Sequence, residues 1–431
     1  MHSIARIAVL TTCAAIVAGC TSTSSTTPAG SGTTTTAAPP SVSSALKPID
    51  QAALQKAVEK AVKEMRVPGA IVAIRTPQGN YTVAVGTTEL GKQTTPDANT
   101  HFRIASNSKT MTAALIVLLA QDGKLKFSDP VSDYVPDVPD GTDITVADLL
   151  TMRSGLYNYT NAPELAAQLD ADPAKPWTSQ EVLAIAFAHP ANAAPNTEYE
   201  YNNTNYALLG VIAEKAGGRP LSEQLHDRLF GPLGLQQTLL PAPDDTAIPA
   251  PYSHGYMYGG AAYAMVDDPY PADLKAAGRA GTLKPIDYTN ENPSYAQAAG
   301  SVISTADNMA AWMRALVSGK VFNADYQQQW LDSLQVEDPS NPGGQKYGYG
   351  ITYQRFSPTA AMYYHGGEMP GFNSFMGYDP DADVSLVIWT NLTISLDDKT
   401  TAQALLPTVL DEIYTGLSLA PTVATTTSTT R

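Results

Sequence analysis

Ile104-Ala105-Ser106-Asn107-Ser108-Lys109-Thr110-Met111 opens the stretch around which this chain is organised. From Met111 to Ala120 nearly every residue is apolar or small, too long a run for a strand and without a polar face, which predicts a helix buried on all sides. Gly123, after Asp122, supplies the stop. Lys109 is out of place in such a helix. A buried ammonium must be paired or lose its proton, so its pKa is expected to fall. Ser106 stands three residues earlier on the same helical face, and a serine at a helix N-terminus beside a partly neutral amine is a way to make a weak nucleophile reactive. Ser-x-x-Lys alone is a cheap pattern. Its second copy, Ser44-Ala45-Leu46-Lys47, lies in a low-complexity stretch ahead of Pro48, where no such helix can start.

The 431 residues suffice for two domains or for one large domain with an insertion. A net charge of -15 argues against nucleic acid or anionic membrane surfaces as partners. The N-terminus reads as an export signal over residues 1–19, with His2 and Arg6 ahead of an apolar run from Ile7 to Val17 that is too short to span a bilayer. Val17-Ala18-Gly19-Cys20 resembles the lipobox of bacterial lipoproteins, which implies lipid on Cys20 and a place at the cell envelope, on the outer face of the cytoplasmic membrane. Cys13 and Cys20 are the two cysteines, so a mature exported chain is held together by its core and not by a disulfide. Residues 20–45 and 419–431 are rich in Ser, Thr, Ala and Pro, as in a flexible tether and tail.

Between them, residues 46–418 read as one domain. Residues 49–66 carry a helical period. Ala70 to Arg75 and Tyr81 to Val85 read as a hairpin across Pro77-Gln78-Gly79-Asn80. Residues from about 125 to 300 hold helical stretches at 179–188, 205–216 and 221–230 with little strand signal, and residues 250–298 read as a long loop rich in Gly, Pro and Tyr. A helix is expected over 306–316. Strands are expected over 347–353, 361–364, 372–378 and 384–391, and a closing helix over 400–414. The fold class is therefore α+β: an antiparallel sheet shared by both ends of the chain, flanked by N- and C-terminal helices, with an inserted all-helical region.

Three landmarks stand in order: Ser106-x-x-Lys109, then Tyr201-Asn202-Asn203, then His365-Gly366-Gly367 at the end of a strand. Together they resemble the penicillin-recognising serine hydrolases, in particular the class C beta-lactamase-like branch, which includes D-alanyl-D-alanine carboxypeptidases, D-aminopeptidases and some esterases. His101 to Ser106, Asp129-Pro130-Val131, Leu149 to Leu156 and Pro370-Gly371-Phe372 look alike too, and the resemblance covers roughly residues 50 to 415. Tyr159-Thr160-Asn161 and Tyr288-Thr289-Asn290 also satisfy Tyr-x-Asn, but only Tyr201 has the flanking sequence and the position between the other two motifs.

The resemblance implies Ser106 as nucleophile, Lys109 as holder of its proton and Tyr201 as proton shuttle to the leaving group. Asn203 would bind the substrate amide, His365 would stand where other branches carry lysine, and the backbone N–H groups of Ser106 and Glu368 would form the oxyanion hole. Only the backbone of Glu368 is implicated, its side chain being expected in solvent. Gly366 departs from the branch, which has threonine there to hold a substrate carboxylate. Esterase or amidase activity on a substrate with an uncharged end gains weight accordingly.

No Gly-x-Ser-x-Gly elbow, His-Glu-x-x-His or Cys/His cluster offers another hydrolase design, so neither a metal nor a cofactor is called for. The expected substrates are peptidoglycan-derived D-alanyl peptides, or small D-amino-acid amides and esters. An esterase or beta-lactamase on the same scaffold, and a non-catalytic cell-wall-binding or sensing module, are the competing readings.

Overall fold

The computed structural model describes residues 46–419 apart from Asp267. The signal segment, Cys20, the whole tether and the tail from 420 onward lie outside the described residues.

Helix α1 (Gln51–Met65) starts where Asp50 Oδ1 accepts the amides of Ala52 and Ala53, and it buries Leu54, Val58, Val62 and Met65 at helical spacing. It leads into the hairpin β1 (Gly69–Thr76) and β2 (Gly79–Gly86). The sheet is completed from the far end of the chain by β3 (Gln335–Val336), β4 (Lys346–Tyr347), β5 (Thr352–Ser357), β6 (Ala360–Met369), β7 (Phe372–Asp379) and β8 (Val384–Thr390). Its antiparallel order is β2-β1-β8-β7-β6-β5-β4-β3, so the two chain ends meet where β1 pairs β8, with Ile71 opposite Trp389.

The central strands are covered on both faces, which is why β8 carries the apolar run Leu386 to Trp389 and is buried throughout. Strand alternation sorts the core into two layers. Ile71, Ala73, Val387 and Trp389 face one, while Ala70, Val72, Ile74, Leu386 and Ile388 face the other, where α1 and α5 (Thr401–Ile413) pack. On the first face lie α2 (Ser108–Gln121), α3 (Asn203–Gly217) and α4 (Ala306–Val317). Every residue of α2 from Ser108 to Ala120 is buried, as its lack of a polar face requires.

Several expectations are corrected. Ser106 does not lie in α2 but in a 3-10 turn, Ala105–Asn107, that precedes it. The strand expected over 347–353 is two, because Gly350, at φ 71°, turns the chain between β4 and β5. Residues 250–298 are not a plain loop: they hold helices at Ala262–Met265 and Ala272–Ala280 and a two-residue ladder between Tyr256–Met257 and Ile286–Asp287. Helices at Pro163–Ala171 and Ala324–Asp332 had no clear periodic signal.

One close approach joins the sheet to the turn carrying Ser106. A Cβ built on Gly367 would lie 2.2 Å from the Ile104 carbonyl oxygen and 2.5 Å from Ser374 Oγ. Only glycine lets β6 run this near. Gly367→Ala is therefore expected to lower stability by about 2 kcal/mol or more, read as a reduced urea midpoint at unchanged m. Gly343→Ala, whose Cβ meets nothing within 4 Å, should stay within about 0.5 kcal/mol of the parent.

Candidate active site

The 3-10 turn under Ser106 is held by its neighbours. Ala105 sits at φ 50°, a left-handed conformation that costs an L-residue roughly 1–2 kcal/mol. Hydrogen bonds offset that strain. Ser108 Oγ donates to the Ala105 carbonyl at 2.7 Å and accepts the Val302 amide at 3.1 Å. Asn107 Nδ2 donates to Ile104 O at 3.0 Å and to Ser374 Oγ on β7 at 2.8 Å. Thr110 Oγ1 donates to Asn107 O and accepts from Trp312 Nε1 on α4, each at 2.8 Å. The serine thus sits at a junction of α2, β6, β7 and α4.

Lys109, in the first turn of α2, is fully buried, with its amine 2.9 Å from Ser106 Oγ, 2.7 Å from Asn203 Oδ1 and 2.8 Å from the Ala299 carbonyl oxygen. Burial, with no carboxylate to offset it, holds its pKa well below the ordinary lysine value. The hydrogen-bond bookkeeping then fixes direction. Thr160 Oγ1 donates to Asn158 Oδ1 at 3.0 Å, so it must accept from Asn203 Nδ2, also at 3.0 Å, which turns Asn203 Oδ1 toward the lysine. Asn203 Oδ1 and Ala299 O can only accept, and together they take both N–H groups of a neutral amine. In that neutral form the remaining lone pair faces Ser106 Oγ, 2.9 Å away, and can accept its hydroxyl proton. A serine hydroxyl whose proton is already shared with an unprotonated amine is an activated nucleophile.

Tyr201 precedes α3, whose N-terminus is capped by Asn202 Oδ1 accepting the Thr204 amide at 2.8 Å. Its phenol hydrogen-bonds to Ser106, and the Lys109 amine stands 5.0 Å from its ring centroid. Burial raises the Tyr201 pKa, and the charges of Glu368 and Glu337 add to the rise, while the bond to Ser106 opposes it. Tyr201 is accordingly a phenol at neutral pH. With the serine proton committed to Lys109, the phenol donates to Ser106 Oγ.

The cleft in front of Ser106 is small, about 60 Å³. Asn203, Thr160, Tyr159, Tyr295, Met265 and Met369 are among the residues that line it. Glu368 lines it too and is half-buried, so its side chain is not in open solvent as expected. His365 is buried, with Nδ1 2.6 Å from Gly366 O and Nε2 3.2 Å from the Tyr347 hydroxyl. A carbonyl can only accept, so Nδ1 carries the proton and Tyr347 donates to Nε2. Burial pushes the His365 pKa down, which leaves a neutral ring. Both ring nitrogens are spent inside the protein, and His365 is not among the residues lining the cleft.

At Gly366 a Cβ would meet Gln403 Nε2 of α5 at 2.9 Å, in the space where the branch's threonine would stand. Arg153 is buried elsewhere and donates to Val336 O at 2.9 Å, so it does not replace that threonine at the cleft. Among the described residues no group of three or more His, Cys, Asp or Glu is placed to hold a metal ion, and no helix is long and apolar enough to cross a membrane.

The sequence reading missed Asn158, Thr160, the Ala299 carbonyl, Ser374 and Tyr347. A signal existed for one of them, Thr160: the second Tyr-x-Asn copy, Tyr159-Thr160-Asn161, lies directly beside the site.

The sequence profile of the family described as Beta-lactamase matches residues 54–409. The putative penicillin-binding protein PbpX of Bacillus subtilis is 24% identical over 293 residues, 68% of this chain and 62% of that protein. The unguisins hydrolase ungD of Aspergillus violaceofuscus is 28% identical over 276 residues, 61% of this chain and 44% of its own length. The chain thus spans less than two thirds of these curated relatives. Among solved structures, a D-stereospecific amidohydrolase from Streptomyces sp. superposes with TM-score 0.70 at 28% identity, covering 82% of this chain and 98% of that one. A D-amino acid amidase from Ochrobactrum anthropi SV3, complexed with L-phenylalanine amide, gives TM-score 0.69 at 26% identity, covering 84% and 97%.

The hydrogen-bond geometry makes a pH prediction. Asn203→Asp places a carboxylate beside the Lys109 amine, which favours the charged form and raises the amine's pKa. The rising limb of kcat/KM against pH for a nitrophenyl ester should move to higher pH by about one unit or more. An unmoved limb would mean that Lys109 is not the group that must lose its proton.

Proposed function

This chain belongs to the beta-lactamase family, and from that premise we propose that it is a serine hydrolase that cleaves amide or ester bonds through an acyl-enzyme on Ser106. Its proposed substrates are D-amino-acid amides, their esters and short D-alanyl peptides of the cell wall. The observation that carries the reading is the buried Lys109 amine, held by two acceptors and 2.9 Å from Ser106 Oγ.

In the first half-reaction Ser106 Oγ attacks the carbonyl carbon while its proton passes to Lys109 Nζ. Tyr201, a phenol at rest, gives its proton to the departing nitrogen or oxygen, and Lys109 replenishes it. The lowered lysine and the raised tyrosine support Lys109 as base and Tyr201 as acid. Backbone N–H groups of Ser106 and Glu368 are assigned to the oxyanion, where each fixed donor contributes about 3 kcal/mol. Water then enters as the second nucleophile, activated by the same amine. Asn203 has one amide hydrogen engaged by Thr160, which leaves the other for the substrate carbonyl.

Two comparisons support the amide reading. The Streptomyces amidohydrolase and the Ochrobactrum amidase are named for D-configured substrates, and each is covered almost throughout its length. Gly366 points the same way, because it offers no hydroxyl to a substrate carboxylate. The assignment includes a lipid anchor on Cys20 at the outer face of the cytoplasmic membrane. Cys20→Ala should move the chain from the membrane fraction to the soluble one on fractionation of the producing cells.

Intact-mass analysis after a fluorophosphonate should give one adduct, on Ser106, absent in Ser106→Ala. Lys109→Met and Tyr201→Phe should each slow acylation by about 10²–10⁴-fold. Absence of any adduct on the folded parent chain would leave the non-catalytic reading. Gly366→Thr, which need displace only the flexible end of Gln403, should raise the rate of penicillin acylation several-fold relative to that of a neutral ester.

A further inference from the structure

The cleft in front of Ser106 has one wall unlike the others. Tyr159 and Tyr295 are buried in the core and tied together, the Tyr159 hydroxyl donating to the Tyr295 carbonyl at 2.8 Å. Thr160 and Asn203 belong to the hydrogen-bonded chain that holds Lys109, Ala299 supplies another of its acceptors, and Met369 is buried at the end of β6. None of these can move aside without disturbing the core or the amine. Ala264 and Met265 line the cleft too, but they stand on a short helix, Ala262–Met265, in which no residue is buried.

Two side chains from outside hold that helix at its N-terminal end. Asp170, in the helix Pro163–Ala171, accepts the Ala261 amide on Oδ1 at 2.8 Å. A Cβ on Gly260 would lie 2.4 Å from Asp170 Oδ2, so the chain passes the carboxylate as closely as glycine allows. The Tyr288 hydroxyl donates to the Gly259 carbonyl at 2.9 Å. From this anchorage Met265 reaches the cleft as an unbranched, adaptable side chain, half-buried against the first core layer. The lining also tells which half of a substrate meets it. Asn203, whose free amide hydrogen is assigned to the substrate carbonyl, lines the cleft, whereas Tyr201, the proton donor to the leaving group, does not. The space that Met265 bounds is therefore that of the acyl group. At about 60 Å³ it is far below the roughly 300 Å³ at the low end of drug-sized ligand pockets, and it suits a short chain.

We propose that Met265 is the residue that limits acyl-group size at this site, with Asp170 as its positioning residue, so that the substrates are amides and esters of acetyl- or alanyl-sized acyl groups and not of hexanoyl- or phenylalanyl-sized ones. The inference rests on the hydrolase reading above and narrows its substrate class by size. A longer acyl chain must displace the thioether or leave its own end in water. Each methylene too many in a filled apolar pocket costs about tenfold or more in kcat/KM.

The test measures kcat/KM of the full chain on p-nitrophenyl acetate and p-nitrophenyl hexanoate, which share a leaving group. The acetate should be favoured by about a hundredfold or more. Met265→Ala should lower the acetate-to-hexanoate ratio by about tenfold or more, whatever change is common to both, and Met265→Trp should raise it. Asp170→Ala should lower the ratio through KM for the hexanoate, and Asp170→Asn, which keeps an oxygen for the Ala261 amide, should restore it. A loss that was only structural would slow both esters alike. Fluorophosphonate labelling of Ser106 in each variant reports an intact site, and the preference of the parent chain stands without any variant.

A parent chain that hydrolyses both esters equally, or a ratio unchanged by Met265→Ala in a chain whose Ser106 still labels, overturns the inference while the hydrolase reading survives. If the parent chain cleaves neither ester and Ser106 stays unlabelled, the hydrolase reading falls and takes this inference with it.

Discussion

An amine whose pKa is pushed down by burial, at the start of a helix that has no polar face, is the constraint on which the site depends. Lys109 is kept in that state by burial and kept in place by two oxygens that can only accept. Those oxygens come from distant parts of the chain, Asn203 at the head of α3 and Ala299 in a short helical turn, and neither is itself charged. A carboxylate in either place would favour the ammonium and leave less of the neutral amine at a given pH. The neutrality of the surroundings therefore matters as much as any bond. The Asn158, Thr160 and Asn203 chain exists to present the right end of an amide.

Much of the fold could be read from the sequence because its signals are local and strongly periodic. The hairpin, the strands over 372–390, the closing helix and the unbroken apolar run of α2 all follow from one face or both faces being buried. What could not be read was decided by tertiary contacts. Gly350 turns the chain within an apparent single strand, close against Ala113 and the Lys109 carbonyl, neither of which is near in sequence. The tyrosine-rich segment from 250 to 298 took shape by packing Tyr256, Tyr258 and Tyr270 into the second core layer, a use that its Gly and Pro content conceals.

The site divides the same way. Ser106, Lys109 and Tyr201 were visible as motif residues in the right order, but their working directions were not. The spacing of Ser106 and Lys109 puts them on one face without saying which donates to which. That order follows only from Thr160, whose donation to Asn158 propagates through Asn203 to the amine. Glu368 shows the opposite error. A glutamate one residue past a glycine pair looks like ordinary surface, and only the close approach of β6 to the Ser106 turn brings it to the cleft.

The seam between β1 and β8 has a consequence for how the molecule is made. Strand β1 is complete by residue 76, but the partner that closes its second edge is not synthesised until residues 384–390, and Leu46 meets Tyr414 later still. Through most of synthesis the first hairpin stands with a bare, strongly apolar border, the kind of surface that recruits a strand from another molecule. A ribosome product cut short before Val384 has no native means to cover that border. Truncation before the last strand thus leaves an apolar strand edge that favours pairing with other chains.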